Sequence, residues 1–129
     1  MDFKISSIEE LESLGHAVKW QYFERLVAWV FEQNGFEVEH NKVVVFDDRS
    51  RRQFDVVARG FGKVYSVECK KQQKLQISSA MDKHAERSLR LAENLGTEVI
   101  PVIVTLYDEV EDAALPVIPL MKLNSFLNE

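Results

Sequence analysis

The run Gln53-Phe54-Asp55-Val56-Val57-Ala58-Arg59-Gly60-Phe61-Gly62-Lys63-Val64-Tyr65-Ser66-Val67-Glu68-Cys69-Lys70-Lys71 decides the fold. Two β-rich segments, Gln53 to Arg59 and Lys63 to Lys71, flank Gly60-Phe61-Gly62, a link short enough to force a hairpin. If Phe61-Gly62 is a two-residue loop, paired positions sum to 123 and Asp55 stands opposite Glu68, with Cβ atoms about 4.5 to 5.5 Å apart. If Gly60-Phe61 is the loop, the sum is 121, Asp55 faces Ser66, and Glu68 is its diagonal neighbour on the same face. Either register brings the two carboxylates together. A three-residue loop without a bulge would separate them.

Alternation along the second strand places Lys70 on the side of Glu68, while Cys69 points the other way with Val67 and Tyr65. Adjacent carboxylates repel, and burial sharpens the cost unless a cation neutralises them. Hard divalent ions take oxygen ligands, and Mg²⁺ is commonly held by one or two carboxylates plus water and substrate phosphate oxygens. Asp55 and Glu68 are therefore a candidate Mg²⁺ seat, with Lys70 beside it. Glu24 adds a third acid at the edge of a helical apolar stripe, where a charge is half buried and gains from reaching a metal or its water shell.

Outward from the hairpin, apolar Trp20, Phe23, Leu26, Val27, Val30 and Phe31 recur at helical spacing, predicting a helix over His16 to Asn34 that stops at Gly35. Ser7 and Glu10 form a capping-box pattern for a shorter helix ending near Gly15. Phe36 to Phe46 reads as the strand before the hairpin, separated from it by a polar turn from Asp47 to Arg52. Ser78 or Ser79 caps a helix over Ala80 to Leu95, with Met81, Ala85, Leu89 and Ala92 as its expected apolar side. Val99 to Leu106 is a nearly unbroken apolar run, the pattern of a strand covered on both faces and paired in parallel. A short edge strand is expected near Leu115 to Ile118, then a closing helix beginning at Pro119. The order ααβββαββα predicts an α/β domain with a central mixed sheet of four or five strands flanked by helices.

The 129 residues fit one domain, 1–129, and exclude a second catalytic domain. No segment is long and apolar enough for a membrane helix, and the start Met1-Asp2-Phe3-Lys4 has no signal-peptide layout, so the expected location is cytoplasmic with no membrane partner. A single cysteine, Cys69, excludes an intrachain disulfide and a multi-cysteine metal site. The net charge of −5 argues against a general nucleic-acid coat. Residues 49–74 are different: eight Lys and Arg against Asp55 and Glu68 give that stretch +6, an island suited to phosphate within an acidic chain.

Taken in order, Phe23-Glu24, Phe54-Asp55 and Val67-Glu68-Cys69-Lys70 resemble the PD-(D/E)xK nuclease superfamily, in which a helical Glu, a strand Asp and an E-x-K on the next strand form the active site. More narrowly, Phe23-Glu24-Arg25-Leu26-Val27, Asn34-Gly35-Phe36-Glu37-Val38 and the E-C-K-K string look like Mrr-type restriction endonucleases and archaeal Holliday-junction resolvases. The proline that names the motif is Phe54 here, a position that shapes the strand and supplies no ligand. The Gln-x-x-x-Tyr signature of RecB-like members is absent after Lys70.

The resemblance implies a restriction-endonuclease-like three-layer fold and a Mg²⁺-dependent endodeoxyribonuclease, with Mn²⁺ able to substitute. It implies Asp55, Glu68 and Glu24 as metal ligands, Lys70 as the group acting on the attacking water or the phosphate, DNA as substrate and often a homodimer. A catalytically silent DNA-binding or assembly subunit with the same fold is the alternative, and an RNA nuclease of the same chemistry a third. Arg49, Arg51 and Arg52, expected in a loop before the Asp55 strand, and Lys71, Gln72 and Lys74 beyond Lys70 are candidate phosphate contacts. Lys83, Arg87 and Arg90 read as a solvated helix face, Cys69 as a buried small hydrophobe. His16, His40 and His84 form no recognisable ligand spacing, and His84 is the one of them that could lie near the active-site side.

Overall fold

The computed structural model describes residues 20–70, 77–106, 110 and 113–129. The expected helix before Gly15, residues 16–19, and Lys71, Gln72 and Lys74 lie outside them. The elements are α1 (Trp20–Gln33), β1 (Glu37–Val45), β2 (Arg51–Gly60), β3 (Lys63–Lys70), α2 (Ile77–Leu95), β4 (Ile100–Thr105), β5 (Val117–Pro119) and α3 (Leu120–Leu127). The strands form one mixed sheet in sequence order, antiparallel across β1, β2 and β3 and parallel across β3, β4 and β5.

The stripe on α1 buries as its spacing predicts: Phe23, Leu26, Val27, Val30 and Phe31 pack on Val56, Ala58, Tyr65, Val67, Val102 and Val104 of the sheet. Each such side chain contributes about 1.5 to 3 kcal/mol on leaving water. The helix stops because Gly35 takes φ +88°. There the Gly35 N–H reaches the Glu32 carbonyl and the Phe36 N–H the Phe31 carbonyl, at 3.0 and 3.1 Å, while the Phe31 and Phe36 rings meet edge to face. Leu120 and Leu123 of α3 join this layer, and α2 covers the other face of the sheet. Helix, sheet and helix make the three expected layers.

The β2–β3 hairpin takes the first of the two registers: Gly60 pairs with Lys63 and Val56 with Val67. Phe61 and Gly62 both have positive φ, +54° and +73°, the backbone of a two-residue turn whose twist suits the strands. Central β4 is buried on both sides, with Val102 and Val104 toward α1 and Ile103 toward α2.

One irregularity positions the site. Phe54 and Val56, two residues apart, should share a face, yet Phe54 buries on the α2 side and Val56 on the α1 side. In β1, Val38 and Val44 are divided the same way. The β1–β2 register is the same on both sides of the break, and the unpaired level is Asn41 with Asp55. Asn41 has φ +53°, a left-handed conformation that asparagine tolerates. Both strands thus reverse their pleat at one level, and the β2–β3 ladder ends there, at Val56 and Val67.

Three expectations need correction. Leu89 is not on the buried side of α2: it is 69 % exposed, and the buried stripe is Ala80, His84, Ser88 and Leu91. Steps of three and four residues keep these over β3, whose α2-facing residues are themselves polar, so Leu89 is rotated outward. Pro119 does not begin the closing helix; it ends β5, paired with Thr105, and stands at the N-cap of α3 in extended conformation. Arg51 and Arg52 are not in the loop but in β2, opposite Val45 and Val44. The loop is shorter because Asp48 accepts the Ser50 N–H at 3.0 Å and Arg90 of α2 clamps Asp48 and Ser50 while stacking 4.3 Å over the Phe46 ring. Arg90 therefore has a structural task beyond a solvated face.

The corrected phase of α2 has a measurable consequence. Leu91→Ala should cost about 2 to 5 kcal/mol in chemical denaturation, whereas Leu89→Ala should stay within about 0.5 kcal/mol of the parent.

Candidate functional site

Where β2 diverges from β3, Asp55 turns its carboxylate across the gap, and Oδ2 accepts the Cys69 N–H at 2.8 Å. A side chain thus supplies the acceptor that a neighbouring strand would otherwise provide. Glu68 lies one residue back on β3, with one carboxylate oxygen, Oε1, 3.2 Å from Lys70 Nζ. The other, Oε2, is buried without a hydrogen bond, and His84 Nδ1 lies 3.8 Å from it. His84 Nε2 is 2.8 Å from the Ser66 carbonyl oxygen. Asp55, Glu68, Lys70 and His84 therefore meet at the end of the β2–β3 hairpin, against α2.

The electrostatics of this group are those of a site short of positive charge. Burial pushes the Asp55 carboxyl above its ordinary range, the Glu68 charge pushes the same way, and the Cys69 N–H, Lys70 and His84 oppose them. Burial lowers His84, against the opposing pull of the Ser66 carbonyl and the Glu68 and Asp55 charges. Cys69 is fully buried on the α1 side; burial and then the charges of Asp55, Glu24 and Glu68 raise its thiol well above the usual value, so it is an inert apolar neighbour.

Glu24 is more buried than an edge position suggests, at 8 % exposure, and comes to the site from the α1 layer. Its Oε2 is 3.5 Å from His40 Nε2 on β1. Burial and the Arg25 charge lower His40, while the Asp55 charge raises it. Among the described residues no three His, Cys, Asp or Glu side chains form a ready group for a metal ion. Arg49 is exposed at φ +68° in the β1–β2 loop, Arg51 is exposed and Arg52 half-buried on β2, and no described contact ties these three to the carboxylates.

Sequence reading raised His84 for this side of the site and missed the serines around it. Ser66 and Glu68 of β3 meet His84, Ser88 is buried one helical turn on, and the apolar packing under α2 falls into a patch around Phe54, Val57 and Leu91 and another around Ile103 and Val117. The signal lay in the spacing of Ala80, His84, Ser88 and Leu91, which is helical once polar residues are allowed onto the buried side.

The donors fit a divalent cation. Asp55, whose carboxyl pKa burial raises, and Glu68, with a buried oxygen lacking a hydrogen bond, offer hard oxygen ligands for a cation. Asp55 and Glu68 would hold it, with water and phosphate oxygens completing the shell. A carboxyl whose folded-state pKa is raised contributes stability at low pH that is lost as pH rises from the unfolded value through the folded one. In chelator, Asp55→Asn should therefore melt above the parent at pH 7, the difference shrinking as pH is lowered toward about 4. The amide oxygen still accepts from Cys69. Added Mg²⁺ should raise the melting temperature of the parent and leave that of the variant nearly unmoved.

Residues 16–105 match the restriction endonuclease family Mrr_cat. An uncharacterized protein of Archaeoglobus fulgidus is 29% identical over 117 residues, covering 85% of this chain and 90% of its own length. Among solved structures, the protein of unknown function AF1548 superimposes with a TM-score of 0.62 at 25% identity over 77% of this chain, which spans 57% of that structure's length. The small subunit, R.BspD6I2, of the heterodimeric restriction endonuclease R.BspD6I superimposes with a TM-score of 0.63 at 14% identity, covering 94% of this chain and 75% of that one, a likeness of fold. Proteins of this fold generally use divalent metal ions. The matched span holds both strands of the hairpin and every residue of the carboxylate cluster, and this chain belongs to the Mrr_cat restriction endonuclease family.

Proposed function

We propose that this protein is a metal-dependent endonuclease that hydrolyses DNA phosphodiester bonds. The observation that carries the reading is the convergence of Asp55, Glu68 and Lys70 at the strand break, an oxygen seat for a cation with an ammonium 3.2 Å from one of its ligands. Hydrolysis of a phosphodiester needs a nucleophilic water and neutralisation of charge that develops on phosphate, and a bound Mg²⁺ supplies both.

The chain's own groups do the rest. Asp55 is held by the Cys69 N–H, so its other oxygen is presented in one direction. Glu68 is tethered to Lys70 through Oε1. Lys70 orients the attacking water or receives developing charge on the phosphate. Glu24 closes the site from the α1 side, completing the ligand shell directly or through water. Arg49, Arg51 and Arg52, with Lys71, Gln72 and Lys74, belong to the basic stretch that would take backbone phosphates and set the salt dependence of binding. Two such centres can break both strands of a duplex in one encounter, and a homodimer acting in the cytoplasm belongs to the reading. Sedimentation of the purified protein, with and without DNA, tests the dimer.

Incubation of the protein with linear, branched and supercoiled DNA and Mg²⁺ or Mn²⁺ is the deciding experiment. Cleavage should need the metal and should fall by about 100- to 1000-fold in Asp55→Asn, Glu68→Gln and Lys70→Ala, while Leu89→Ala cleaves like the parent. Metal-independent DNA binding with no turnover on any substrate would instead make the chain a silent binding or assembly subunit, and turnover confined to RNA would move the same chemistry to the other nucleic acid.

A further inference from the structure

The Ser66 carbonyl can only accept a hydrogen bond, so the ring hydrogen of neutral His84 sits on Nε2, 2.8 Å away. Nδ1 then carries the ring's lone pair, and what it faces at 3.8 Å is Glu68 Oε2, a buried carboxylate oxygen that has no hydrogen bond. Two acceptors face each other, and the buried oxygen has no donor, an arrangement that is costly unless something positive joins them. The spacing suits one ion: donors about 2.0 to 2.2 Å from a shared cation stand no more than about 4.4 Å apart. The two elements that meet here also carry buried hydroxyls without hydrogen bonds, Ser66 Oγ on β3 and Ser88 Oγ on α2.

We propose that His84 is a nitrogen ligand of the cation held by Glu68, so that the site is a mixed nitrogen and oxygen seat rather than an all-carboxylate one. The proposal rests on the metal-dependent reading above and deepens it. An imidazole ligand favours first-row transition ions over Mg²⁺, which takes oxygen almost alone. The orientation of the ring is already set, since the bond from Nε2 to the Ser66 carbonyl is the outer hydrogen bond that metal-binding histidines ordinarily make. Lys70 remains on Oε1 of the same carboxylate and does not compete for Oε2.

The test uses the full chain and metal ions alone. Pulsed electron paramagnetic resonance of bound Mn²⁺ should show coupling to a directly coordinated imidazole nitrogen in the parent and in His40→Gln, and none in His84→Gln. Calorimetric titration should give Co²⁺ affinity at least about tenfold lower in His84→Gln, with Mg²⁺ affinity changed less than about threefold. The parent spectrum answers the question even where a variant folds poorly. Bound Mn²⁺ without nitrogen coupling in the parent, coupling lost in His40→Gln rather than His84→Gln, or equal losses of Co²⁺ and Mg²⁺ affinity would overturn the proposal and leave the nuclease reading standing. Mn²⁺ binding unaffected by Asp55→Asn and Glu68→Gln, or no binding at all, would overturn both.

Discussion

The bond from the Cys69 N–H to Asp55 Oδ2, 2.8 Å long, is the constraint from which the rest of the site follows. Neighbouring strands of a sheet cannot simply separate, because each backbone donor set free in the interior must find an acceptor or carry the cost of leaving water. Here β3 continues beside β4 to Lys70 while the part of β2 before Val56 lies away from it. The donor that faces the gap is satisfied by a carboxylate from the departing strand. The same bond closes the opening and fixes a carboxylate at its edge.

The departure is prepared one strand further out. Asn41 and Asp55 occupy the same unpaired level of the β1–β2 ladder, and both strands change face there without changing register. The two outer strands therefore bend together, and their apolar residues still find cores: Val44 and Phe54 under α2, Val38 and Val56 under α1. Arg90, anchored on Asp48, Ser50 and the Phe46 ring, ties the far end of the bent pair back to α2. An opening between β2 and β3 and an intact core coexist because the break is shared between neighbours.

Below the opening, β3 presents two different faces. Tyr65, Val67 and Cys69 are apolar toward α1. Ser66 and Glu68, facing α2, are polar, and they draw His84 and Ser88 into the interior of that layer. This explains why the apolar reading of α2 failed at Leu89: a stripe defined by hydrophobic residues alone misses a helix whose partner strand is polar in the middle. The elements packed on apolar surface, α1 and β4, were legible to within a few residues, since spacing and burial agree there. Pro119 was misplaced for a local reason, because its fixed φ suits the end of a strand and the residue before a helix as well as the helix's first turn. The local sequence around Arg51 and Arg52 reads as a loop because the clamp on Asp48 comes from Arg90, a residue of a different layer.

By itself, the sequence determined the hairpin, its polarity and the chemical types at its end. A two-residue link and the two-residue period of a strand leave few ways to place Asp55, Glu68 and Lys70. What only the tertiary structure decided was the register between the two open alternatives, the pleat reversal at Asn41 and Asp55, and the entry of His84 opposite Glu68. Those depend on which donor meets which acceptor between segments distant in the chain, and such pairings are set by packing after the local patterns have been satisfied.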